Sequence, residues 1–133
     1  MKSSELVRCL DVDGGIPKLK QKMAVSIKEF SYGLRVKGGS APISLAIENK
    51  EVLVEVIHVK SLCKAYLDGT IDAMELEYVA SALDICPDFK FVTDNLREII
   101  RNLSELHQME PSEIPVFVKG ILQSREIGEI ETG

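Results

Sequence analysis

At 133 residues the chain is long enough for one domain with its own core. It is 45% hydrophobic, poor in aromatics, without Trp, and carries a net charge of −5. No apolar run approaches the ~18 residues of a membrane span, and the start Met-Lys-Ser-Ser-Glu lacks the apolar core of a signal peptide, so a cytoplasmic protein is expected.

Leu6, Val7 and Leu10 share one helical face, which predicts a first helix over residues 3–10. Asp13-Gly14-Gly15 breaks it. Pro17 suits the first turn of a second helix. Leu19, Met23, Ile27 and Phe30 repeat there every three or four residues, and Gly33 offers a C-terminal stop. The period then changes to two. Leu34 and Val36 alternate with charged residues, Ile43, Leu45 and Ile47 with small ones, and Val52, Val54 and Val56 follow. This pattern predicts an antiparallel hairpin over about 42–57, with a possible third strand at 34–37. One long helix over 50–67 is the alternative.

Helical spacing returns with Val59, Leu62, Cys63 and Tyr66 and ends at Gly69. Asp72 and Glu75 then form a potential capping box, with Thr70 as a competing cap. The helix that follows should run to Ile85 and stop before Pro87. Leu76, Val79, Ala80 and Leu83 make one apolar stripe; Met74, Tyr78, Ala82 and Ile85 make a second. A helix with two such stripes is buried on two sides and is expected at the centre of the domain. Thr93 or Asp94 should cap a helix carrying Leu96, Ile99, Ile100 and Leu103. Ser112 should cap the last, carrying Ile114, Phe117, Val118, Ile121 and Leu122. The expected fold class is therefore α+β: one mainly α-helical domain over 1–133, a small antiparallel β-hairpin or meander near 34–57, and a frayed tail from about 127.

Charge is distributed unevenly. Residues 1–40 hold eight basic and four acidic side chains, net +4; residues 61–133 hold six basic and fourteen acidic, net −8. Such a separation steers charged partners, and the acidic half would repel nucleic acid. Lys18, Lys20 and Lys22 read as a solvated helix face, with no interleaved aromatics to stack bases. No nucleic-acid or membrane partner is expected. The three cysteines are far apart and form no C-x-x-C pair. Cys63 and Cys86 lie among apolar residues, as buried hydrophobes do.

From Asp68 to Asp88 there are six acids and no Lys or Arg: Asp68, Asp72, Glu75, Glu77, Asp84 and Asp88. The opening D-G-T-I-D-x-x-E matches the second half of an EF-hand loop. With Gly69 at loop position six, however, Lys64 falls at one and Tyr66 at three, where calcium needs oxygen ligands. The motif reads instead as a helix stop followed by a helix start. His58 and His107 have no ligand neighbours at metal spacing, no Ser stands in a nucleophile elbow, and no Walker motif is present. No metal, cofactor or enzymatic activity is expected. On the helix over 72–85 the acids fall on two edges: Asp68, Asp72 and Glu75 near its start, and Glu77, Asp84 and Asp88 toward its end. Both edges are candidate contact surfaces for a basic protein.

The run Leu62-Cys63-Lys64-Ala65-Tyr66-Leu67-Asp68-Gly69-Thr70-Ile71, then Glu75-Leu76-Glu77-Tyr78, Ala82-Leu83 and Asp88-Phe89-Lys90-Phe91, resembles a recurring pattern of small bacterial cytoplasmic proteins. Some of these look like immunity proteins of contact-dependent growth inhibition and related polymorphic toxin systems. The resemblance covers about residues 58–105 and transfers no functional residue by position. It implies a non-enzymatic protein that binds a cognate toxin domain, often a nuclease, and blocks its basic active site through an acidic face. A regulatory or adaptor module with a basic partner is the other reading, and a small enzyme the third.

Overall fold

The computed structural model describes residues 1–11, 14–35 and 45–124. Helix α1 (Ser3–Asp11) buries Leu6, Val7, Cys9 and Leu10. It turns at Gly14, which has φ +79°, into α2 (Gly15–Arg35). A side chain at Gly15 would collide with the Cys9 carbonyl, so glycine lets the two helices meet closely. Helix α2 runs straight through Gly33, which is buried rather than terminal. An isolated glycine in a helical pattern is tolerated at a cost of about 1 kcal/mol relative to alanine, so Gly33 alone does not stop the helix.

The strand expectation is corrected. Residues 36–44, which include half of the expected strand at 34–37 and the start of the expected hairpin, lie outside the described residues. Leu34 and Arg35 belong to α2. Residues 47–50 form a loop in which Asn49 takes φ 56°. Strand β1 is only Val52–Val54, and it pairs in parallel with β2 (Phe89–Phe91), in the register Val52↔Phe89, Leu53↔Lys90, Val54↔Phe91. There is no antiparallel hairpin among the described residues. Glu55 ends β1. It is the N-cap of α3 (Val56–Leu67), and its backbone N–H donates to His58 Nδ1 at 2.9 Å. The helix begins at Val56 and cuts the second expected strand to three residues, and the loop at 47–50, where the expected hairpin would turn, is bound through Glu48 to Ser3, Ser4 and Asp88 instead. Val56, the third member of the alternating set, is helical. The long-helix alternative holds only from Val56 onward.

A parallel pair needs a crossover, and here the crossover is α3 followed by α4 (Ala73–Ile85). Helix α4 is the centre of the molecule. It packs against α2, α3 and α5 (Asp94–Leu103). Leu76, Val79, Ala80 and Leu83 of its first stripe and Tyr78 and Ala82 of its second are all buried. Ile85, at its end, is 64% exposed. The rings of Phe30 in α2 and Tyr78 in α4 meet edge to face at 5.2 Å. Thr93 caps α5 through a bond from Leu96 N to Thr93 Oγ1 at 3.2 Å. Two 3-10 turns, Leu106–Gln108 and Pro111–Glu113, lead into α6 (Ile114–Leu122). Ser112 sits inside the second turn, and Glu113 takes the N-cap place without a side-chain cap bond. One apolar core cluster draws buried residues from all six helices and both strands. The expected frayed tail lies outside the described residues.

Candidate functional site

The six acids of the 68–88 stretch are placed by three different structural tasks. Asp68 is the C-cap of α3, where Gly69 turns the chain at φ +86°. Its Oδ1 accepts from Thr70 N at 2.9 Å and from Thr70 Oγ1 at 2.5 Å, and these bonds hold its carboxyl below the ordinary range. Asp72 and Glu75 form a reciprocal capping box. Glu75 N donates to Asp72 Oδ1 at 2.8 Å, and Asp72 N donates to Glu75 Oε1 at 2.9 Å. Glu75 is buried, with Lys20 Nζ 3.7 Å away.

The second group is more deeply committed. Glu77 is 2% exposed and ties the first 3-10 turn to α4. His107 N donates to its Oε1 at 2.6 Å, and the His107 ring Nδ1 lies 2.6 Å from its Oε2. That separation requires a proton shared between the two atoms. Burial pushes the Glu77 carboxyl above the ordinary range, and the His107 bonds oppose the rise without cancelling it. Asp88, also buried, fastens the loop before β1 to the first helix. Its Oδ2 accepts from Ser3 Oγ at 2.6 Å and from Glu48 N at 2.7 Å. Glu48 completes this joint by accepting from Ser4 N at 2.8 Å, so it serves as a remote cap for α1. These bonds hold the Glu48 carboxyl down to about 2. Asp84 is half-buried, with Arg101 Nε 3.8 Å from its Oδ1.

The structure therefore brings Asp68, Asp72 and Glu75 together at the α3–α4 turn, with Asp68 and Asp72 exposed. It does not bring Glu77, Asp84 and Asp88 together on one solvent edge, since two of the three are buried. Burial also explains the thiols. Cys9, Cys63 and Cys86 are free and buried, and the Cys63 thiol is pushed up to about 12. Groups of three or more His, Cys, Asp or Glu that could hold a metal are absent among the described residues.

Surface hollows separate the acids further. Asp72 and Glu75 line one of about 560 Å³ between α2 and α4, and Lys28 lines it too. Asp84 lines another of about 460 Å³ beside β2, together with Asp94 and two cations, Lys90 and Arg97. The guanidinium of Arg97 also stacks 5.6 Å from the Phe91 ring centroid. Each of these hollows holds both signs of charge.

A third region differs. Helices α5 and α6 both pack on α3 but make few contacts with each other, so a groove opens between them. Two hollows, about 420 and 490 Å³, meet there at Asn102 and Phe117. Ile99, Met109 and Phe117 supply apolar surface, while Glu98 lines the first hollow and Glu105 and Glu113 the second. Among the described residues, no Lys or Arg lines either hollow. Glu98 has its ion-pair partner on its own helix, Arg101, 3.5 Å away outside the lining. An apolar strip with an acidic border presents contact surface and charge selectivity together.

No family model, curated protein or solved structure matches this chain. The groove and its acids are therefore read on their own chemistry. Sequence reasoning missed Glu98, Glu105 and Glu113. A signal existed for Glu105 and Glu113: from Asn102 to Val118 the chain has no Lys or Arg, as in the 68–88 stretch, whereas Glu98 stands between Arg97 and Arg101.

Proposed function

We propose that this is a non-enzymatic cytoplasmic protein that binds a basic protein partner, and that the partner is a toxin domain which it neutralises. The observation that carries the reading is the α5–α6 groove, which has acids and apolar surface but, among the described residues, no lining Lys or Arg. A basic surface entering it would meet Glu105 and Glu113, which no lining cation among the described residues opposes. Asp68 and Asp72 supply a second exposed acidic set at the α3–α4 turn. The buried carboxylates Glu75, Glu77 and Asp88 serve the fold, although their charge still adds to the acidic field. Nuclease sites hold phosphates and are usually basic, which is the charge sense an inhibitor of this kind must complement. The toxin assignment rests on that complementarity and on the resemblance over residues 58–105 to immunity proteins.

The test is growth rescue. The C-terminal domain encoded by the gene immediately upstream is expressed in a sensitive host with and without this protein. Rescue, together with a complex that weakens as salt rises, is the expected result. A complex without rescue would point to an adaptor for a basic protein. Growth arrest unaffected by the protein, with no complex formed, would remove the proposal.

A further inference from the structure

The groove has a shape as well as a charge. On α5 the lining residues Asn95, Glu98, Ile99 and Asn102 follow helical i, i+3, i+4, i+7 spacing, and on α6 and just past its end Phe117, Gly120, Ile121 and Ser124 do the same, with Val116 beside Phe117. Two helices thus turn one stripe each toward a common channel. The ten residues of α5 set its length at roughly 15 Å, nearly three helical turns. Val116, at the rim, is 73% exposed.

Gly120 gives the second, independent observation. Glycine inside a helix costs ~1 kcal/mol relative to alanine. Its usual justification is a neighbour that leaves no space for a Cβ, as at Gly15. At Gly120 a Cβ would meet nothing within 4 Å, and its φ is not in the left-handed region. No contact within the described fold accounts for it. A dip in the α6 surface, lining an apolar groove, is what close approach by another backbone requires.

We infer that the α5–α6 groove is a docking site for an amphipathic helix of the partner, with Lys or Arg on its polar face and its backbone crossing α6 at Gly120. The inference rests on the proposed basic partner and adds the form in which that partner is read. An apolar ridge at helical spacing would lie along Ile99 and Phe117. Its flanking cations would reach Glu98 at one end and Glu105 and Glu113 at the other. The hollows beside β2 and between α2 and α4 lack this match, because their own cations would repel the same ligand.

The test uses the full chain, labelled for amide-resolved spectroscopy, and two synthetic amphipathic peptides of about five helical turns (~18 residues). Both carry Leu at i, i+3, i+4 and i+7; one has Lys and the other Glu at the remaining positions. The Lys peptide should shift the amides of Ile99, Asn102, Phe117 and Gly120, and the Glu peptide should not bind. Glu105→Lys with Glu113→Lys, and separately Gly120→Gln, should each weaken the Lys peptide roughly tenfold or more. The open space at Gly120 lets the second variant fold. Preference for the Lys peptide with shifts elsewhere, or with affinity unchanged in both variants, overturns the groove and leaves the basic-partner reading standing. Equal binding of the two peptides, or binding of neither, overturns the groove and the charge reading together.

Discussion

Glu77 and Glu113 are both glutamates in stretches without Lys or Arg, yet their situations are opposite. Glu77 stands on the central helix, 2% exposed, with both oxygens engaged by His107. Glu113 stands exposed at the head of α6, without a side-chain cap bond, beside an open groove. The same contrast separates α4 as a whole from the α5–α6 groove. Around α4 the fold supplies its own N–H, O–H and ring donors, so acids there end turns, start helices and fasten loops. Along the groove it supplies apolar surface and leaves Glu105 and Glu113 exposed, while Glu98 pairs with Arg101 of its own helix. A high density of acids in a sequence therefore does not identify a binding face. What identifies one is the absence of donors from the protein's own side.

The comparison can be sharpened first at the centre. Leu83 is fully buried on α4, so Leu83→Ala should cost roughly 2–5 kcal/mol, with the spread set by how far the cavity collapses. A loss below about 0.5 kcal/mol in denaturant melts, the range of ordinary surface changes, would mean that α4 is not the centre of the core.

The next test addresses the buried carboxylate. Glu77→Ala leaves His107 N without its acceptor and His107 Nδ1 without its partner and should cost ~1–3 kcal/mol, with Glu77→Gln milder because it keeps one acceptor. An unchanged melting temperature for Glu77→Ala would place Glu77 with the groove acids after all. Acid titration sorts the fold's carboxylates as a set. The Glu48 carboxyl falls from 4.5 to about 2 on folding, and Asp88 and Asp68 are lowered as well. A lowered folded value stabilises the protein above the unfolded value, and that contribution is lost as pH falls through the folded one. Stability should therefore decline between about pH 4.5 and 2, and Glu48→Gln should flatten the decline. A wild-type curve flat over that window would contradict the α1 joint.

The helices were legible in the sequence because their signals are local. Thr93, the Asp72–Glu75 box and the double stripe of α4 each act within a few residues. The sheet was not, because its two strands have three residues each and lie on either side of a two-helix crossover. Phe89-Lys90-Phe91 is too short to announce a strand, and Val52, Val54 and Val56 alternate well enough to imitate one longer than exists. Burial of the acids was hidden for the same reason. The partners of Asp88 are Ser3 and Glu48, and that of Glu77 is His107, all distant in the chain.

Smaller effects belong to the groove. Gly120→Ala should stabilise the protein by roughly 0.5–1 kcal/mol, since it removes helix-interior glycine where a Cβ has open space. Destabilisation instead would show that a neighbour already needs that glycine, which would remove it as a marker of outside approach.

The groove acids should matter least to folding, and that smallness is itself informative. Glu105→Ala and Glu113→Ala should each change stability by less than about 0.5 kcal/mol, as surface substitutions without buried partners do. Set beside Glu77→Ala, this gives carboxylates of one type in one protein with stability effects differing several-fold. If Glu113→Ala proved as costly as Glu77→Ala, its carboxylate would be serving α6, through the positive end of the helix dipole, and the groove would lose one of its three acids as a contact for a partner. If both alanine variants left the melt unchanged while weakening capture of a basic helix, folding and recognition would be carried by separate sets of acids.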